Sequence, residues 1–118
     1  MIFNLPKAWL ILCLPEDFES NDRTIFSKRI NGVGISDVVF FIDKESGYVF
    51  SESIVKSIND GSIELMIVKS IDRHPALSFN AISARHLVNF NNFRGCELLS
   101  PETLLYFKTV FGDPDKYI

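Results

Sequence analysis

No group of His, Cys, Asp and Glu is spaced for catalysis or metal binding in this chain of 118 residues, which has two histidines and two cysteines. Cys13 and Cys96 lie far apart in different apolar settings, so they form neither a zinc pattern nor a disulfide framework. Both read as small buried hydrophobes of a reducing compartment, and no metal or cofactor is expected. Basic runs are absent as well: residues 1–59 carry six Lys/Arg against eight Asp/Glu, and residues 60–118 carry six against seven. Phosphate backbones need clustered cations to displace their counterions, so a nucleic-acid surface is excluded.

Glycine and serine patterns are incomplete. Gly32-Val33-Gly34 lacks the third glycine of a dinucleotide loop, with Asp37 in its place, and no Lys-Ser or Lys-Thr pair follows. The two glycines are read as a turn into the next strand. No Gly-x-Ser-x-Gly elbow activates a serine. The apolar run Ala8–Leu14 is far shorter than the roughly 20 residues that span a bilayer. One basic residue before it and Pro15-Glu16-Asp17 after it do not make a signal peptide. A cytoplasmic protein that contacts no membrane is the expectation.

What is present is a core. Hydrophobic residues make up 47% of the chain and charged ones 23%, with eleven Phe and a net charge of −3. That is the composition of one folded domain over residues 1–118, able to bury roughly two-thirds of its unfolded surface. Ala8–Leu14, ended by Pro15, predicts a strand covered on both faces. Residues 21–30 predict a helix, with Ile25, Phe26 and Ile30 on one side and Asn31-Gly32 ending it.

Further along, Asp37–Asp43 is rich in β-branched and aromatic residues, and Lys44-Glu-Ser-Gly47 leads from it to Tyr48-Val-Phe50, which predicts a hairpin. Ser51 is placed to cap a short helix through Ile54, Val55 and Ile58, closed by Asn59-Asp60-Gly61. Ile63–Ile71 predicts a central strand. Leu77–Phe90, as a helix, would be apolar on two faces, with His86 on its aromatic side. Ser100, Pro101, Glu102 and Gly112-Asp113-Pro114 mark the ends of a last helix whose stripe is Leu104, Phe107, Val110 and Phe111. Leu105 falls on its polar side. The sum is an α+β domain: a mixed or antiparallel sheet of about four strands with three or four helices.

Several residues are candidates for function. Glu16, Asp17, Phe18, Glu19 and Asp22 form the densest acidic stretch, interrupted by one aromatic, and suit a basic partner. Leu105, with Asp113 and Asp115, is a second candidate surface. Arg73-His74 and Arg85-His86 supply two imidazoles for a small hydrolase or phosphodiesterase, as base and acid. Against this, Pro75 predicts a loop position for His74, and His86 is expected in the core. Asp37, Asp43 and Asp72, at strand ends, would serve a cation only if they converged. Asn89, Asn91 and Asn92 around Phe90 and Phe93 read as a helix end dissolving into a loop. The surplus of aromatics also admits a homo-oligomeric regulatory domain, with a second copy of the chain as partner.

In overall character, a small acidic α+β chain with surplus aromatics and no catalytic set, the sequence resembles bacterial immunity proteins of contact-dependent growth inhibition and related polymorphic toxin systems. The resemblance implies a protein-binding inhibitor without enzymatic activity. Its partner would be a cognate toxin domain, often a basic nuclease, whose active site it blocks.

Overall fold

Two apolar runs without polar alternation become neighbouring interior strands of a sheet. The computed structural model describes residues 6–20, 24–28 and 30–117. In β1 (Ala8–Cys13) and β4 (Val38–Asp43) every residue is buried or half-buried. Leu10, Phe40 and Ile42 point into a core beneath the helices, while Ile11, Cys13, Val39 and Phe41 point into a second core on the opposite face. A strand covered on both faces has no side to present to water, and its sequence therefore shows no alternation. The two strands run parallel, from Ala8 opposite Val38 to Cys13 opposite Asp43.

The hairpin predicted after Asp43 forms as expected. The Asp43 carboxylate accepts the Glu45 N–H at 2.9 Å, and its carbonyl accepts the Gly47 N–H at 2.8 Å. The chain then differs from the sequence reading. β5 (Val49–Asn59) continues straight through the segment expected to be a helix from Ser51 to Ile58. Asp60-Gly61 is the reason: Asn59 pairs with Ser62, so these two residues form a tight hairpin turn, with Gly61 at φ +81°. Asp-Gly is a strong hairpin signal, and it joins β5 to β6 (Ser62–Ser70) where the sequence reading places a helix stop.

Residues 21–30 do not form the expected helix where they are described. Thr24–Phe26 is a short strand, β3, paired antiparallel with β6 and with β2 (Phe18–Ser20). The last strand, β7 (Cys96–Leu98), adds antiparallel to β1. The sheet order is β2-β3-β6-β5-β4-β1-β7, a mixed sheet of seven strands where about four were expected. The described residues form two α-helices, fewer than the expected three or four. The α+β class and the mixed sheet agree with the sequence reading.

Both helices cover one face. α1 (Phe79–Ala84) is only six residues long. Ser78 caps it by accepting the Ala81 N–H at 3.1 Å. It stops at Arg85 because His86 adopts a left-handed φ of +56°, so the helix expected to reach Phe90 ends early. α2 (Pro101–Gly112) follows the local signals: Ser100 accepts the Thr103 N–H at 3.2 Å, Pro101 opens the helix, and Phe107, Val110 and Phe111 are buried. A partly exposed Lys108 on α2 forms an ion pair with the buried Glu52 of β5, tying the helix to the sheet. No helix among the described residues is long and apolar enough to cross a membrane.

Candidate functional site

The chain leaves β1 through a short 3-10 turn, Pro15–Asp17, and this turn organises the first candidate region. Asp17 accepts the Leu14 N–H at 2.8 Å through its carboxylate, and its carbonyl accepts the Ser27 N–H at 2.7 Å. The same carboxylate lies 3.3 Å from the Lys28 ammonium. Asp17 is therefore half-buried and engaged with its own chain. Glu16 beside it is exposed. Phe18 packs its ring 5.3 Å from Phe26 and 5.0 Å from Phe41, so it is part of the second core as well as its boundary. Glu19 stands in β2 opposite Ile25. Asp22 lies outside the described residues. Leu105 is 67% exposed on the outer side of α2, in the opposite layer, so it shares no surface with Glu16 and Phe18.

Two cavities of about 500 Å³ each open near this turn and share Cys13 in their walls. The first is lined by Trp9, Phe26, Cys13 and Cys96, with Lys28, Lys44 and Arg94 also in its wall. Burial pushes the Cys13 thiol up to about 12, with Asp43 and Asp17 adding to the effect, and pushes Cys96 up to about 11. Both thiols are protonated at neutral pH and act as apolar surface. The second cavity is bordered by Phe18, Tyr48, Phe50, Asp43, Asp72 and Arg73.

Of the three strand-end aspartates, Asp43 and Asp72 share that second cavity and Asp37 does not. Asp37 is buried and accepts three donors, the Lys7 N–H at 2.9 Å, the Trp9 indole N–H at 2.9 Å and the Gly34 N–H at 2.8 Å. It fastens the turn at Gly32-Val33-Gly34 to β1, and Gly32 there adopts a left-handed φ of +90° with the Trp9 ring against it. Among the described residues no three His, Cys, Asp or Glu side chains converge on a metal position.

His74 takes the extended loop position that Pro75 predicts, but its burial and the exposure of His86 are the reverse of what the sequence suggests. His74 is buried: Nδ1 accepts the Ala76 N–H at 3.0 Å, and Nε2 donates to the Pro114 carbonyl at 2.7 Å. These partners fix the proton on Nε2 and leave neither nitrogen free for proton transfer. His86, expected in the core, is exposed beyond α1 because its left-handed backbone turns it out of the helix. Next to it Arg85 lies 5.2 Å from the Tyr106 ring centre, and the Tyr106 hydroxyl donates to the Ala76 carbonyl at 2.6 Å.

A further surface was not legible in the sequence. β3 pairs with β6 only from Ile63 to Leu65, and no strand among the described residues pairs with the outer side of Met66–Ser70. Met66, Ile67 and Val68 are 48%, 48% and 50% exposed. Instead of being paired on both sides along its whole length, β6 has a pairing partner on only one side over its second half among the described residues. Beside that edge a cavity of about 210 Å³ is walled by Phe18, Phe50, Leu65 and Ile67. The register shift between Glu52 and Ser53 leaves Val68 as an extra residue, a bulge that breaks the regular spacing. Three consecutive apolar residues in a strand were the available signal, but they read equally well as two-sided burial.

Comparison of the chain with protein-family models, curated proteins and solved structures gives no match.

Proposed function

We propose that this chain is a protein-binding inhibitor of the immunity type, which receives an extended segment of its partner along the open half of β6. The observation that carries the reading is the run Met66-Ile67-Val68, about half exposed where the pairing with β3 ends. An unpaired strand edge offers a row of N–H and C=O groups to an incoming strand, and natural proteins usually shield such edges. Added strands gain affinity from main-chain hydrogen bonds and specificity from pockets that take alternate side chains. The 210 Å³ cavity walled by Phe18, Phe50 and Ile67 supports such a pocket. Phe18 also joins this edge to the acidic turn, where Glu16 is exposed to attract a basic toxin domain.

The reading assigns the cytoplasm, where the free thiols of Cys13 and Cys96 stay reduced. It assigns no catalysis, and the engagement of both His74 nitrogens with backbone supports that choice over the hydrolase. The test is quantitative capture of a partner by the tagged protein, compared with a Met66→Lys/Ile67→Asp variant of unchanged melting temperature. One stoichiometric basic protein that the variant no longer holds is the expected result. Capture that survives the double substitution would overturn the assignment of the β6 edge. Self-association abolished by it would replace the toxin partner with a second copy of this chain.

A further inference from the structure

The cavity bounded by Trp9 and Lys44 has a composition that protein binding at β6 does not use. Its apolar surface comes from the partly buried Trp9, Ile30 and Cys96, and the thiols of Cys13 and Cys96 carry no charge at neutral pH. Trp9 forms part of the wall, held in place by the indole N–H bond to the buried Asp37 at 2.9 Å. At about 500 Å³ the space falls in the range of small-molecule sites.

The charged residues of the wall are of predominantly one sign. Lys28, Lys44 and Arg94 line the cavity against a single carboxylate, Asp17, which is already paired with Lys28 at 3.3 Å. Lys44 and Arg94 are exposed and have no ion-pair partner among the described residues. In a chain of net charge −3, a cavity whose unpaired charges are both positive runs against the overall balance. Apolar walls with a few convergent polar groups are the usual makeup of a ligand site.

We infer that this cavity binds a small organic anion, its apolar body against Trp9, Ile30 and Cys96 and its acidic head between Lys44 and Arg94. The head is a carboxylate or phosphate; a cation of the same shape is rejected because it would meet two like charges. Asp17 opposes the ligand, both through its own charge and by holding Lys28. This site is independent of the protein-binding reading, which concerns the β6 edge.

The chain's single tryptophan makes the test direct. The probe is decanoate carrying a terminal bromine, which quenches a tryptophan it touches, and the controls are decyltrimethylammonium and decyl phosphate. Saturable quenching by the bromo acid, displaced by decyl phosphate and not by the ammonium compound, is the expected result. Lys44→Glu/Arg94→Glu weakens binding by about tenfold or more, because two attractive charges become repulsive. Asp17→Asn tightens it. If the charge-reversed protein does not fold, Lys44→Gln/Arg94→Gln gives the same direction with a smaller loss. Equal response to anion and cation, absence of saturation, or unchanged binding in a folded charge variant would overturn the site.

Discussion

The ring of Phe18 stands 5.0 Å from the ring of Phe41, although β3, β6 and β5 lie between their strands in the sheet. In a flat sheet four steps of about 4.8 Å would separate them by roughly 19 Å. The contact therefore requires the sheet to roll, so that β2 closes over the core formed by Phe26, Phe41 and Val55. This roll puts Phe18 beside the open edge of β6.

Phe41→Ala should destabilise the fold by about 3–5 kcal/mol, since it empties a fully buried site. Phe18 is only half-buried, and Phe18→Ala should cost about 1–2 kcal/mol. Urea unfolding of both variants checks the pair. A Phe18 variant as stable as the parent would mean that β2 does not close this core.

His74→Ala should cost about 2–3 kcal/mol, because it strands the Ala76 N–H and the Pro114 carbonyl and opens a buried gap. His86→Gly should raise stability by roughly 0.5–1 kcal/mol, because glycine adopts the observed φ of +56° without strain. Thermal melting of both variants checks the burial of His74 and the exposure of His86.

Alkaline titration should reveal the thiols. Cys13 rises from 9.0 to about 12 on folding, so from pH 9 upward the unfolded chain loses this proton and the folded chain keeps it. The stabilisation is complete below pH 9 and declines toward pH 12, by about 1.4 kcal/mol for each pH unit while only the unfolded thiol is ionised. Cys13→Ala should flatten this part of the stability profile, measured as the difference between the two proteins in urea. Cys96 contributes in the same direction up to about 11.

Removing Lys108 leaves the buried Glu52 carboxylate without its partner. Lys108→Ala should cost about 1–2 kcal/mol, below the value for a wholly buried pair because the lysine is half exposed. Glu52→Gln in the same background should recover part of the loss by removing the stranded charge. A double-mutant cycle in urea measures the coupling.

Much of the middle of the fold was legible because its signals are local. Ser100, Pro101 and Gly112 act on backbone groups within a turn of themselves, and α2 begins and ends where they stand. The unbroken apolar run of β1 predicts two-sided burial and has it, and β4, expected as a hairpin strand, is covered on both faces as well. Ser51–Asn59 was ambiguous because its apolar residues at 54, 55 and 58 fit a helical side as well as a strand, and Asn59-Asp60-Gly61 serves either as a helix stop or as a hairpin turn. Pairing with β4 and β6 decided it.

The candidate site was less legible. The acidic stretch and Phe18 were identifiable from composition, but the structure engages Asp17 with Leu14 and Lys28 and turns Phe18 inward. The exposed half of β6, the convergence of Cys13, Cys96, Lys44 and Arg94 on one cavity, and the burial of His74 all depend on segments far apart in the chain. By itself the sequence determined an α+β domain, the two-sided burial of its first strand, its first hairpin and its last helix, because those follow from side-chain chemistry over a few residues. Which strand is left with an open edge, which histidine is buried and which charges share a cavity were decided only by the tertiary structure, because each depends on partners that the chain brings close only when the sheet has paired and rolled.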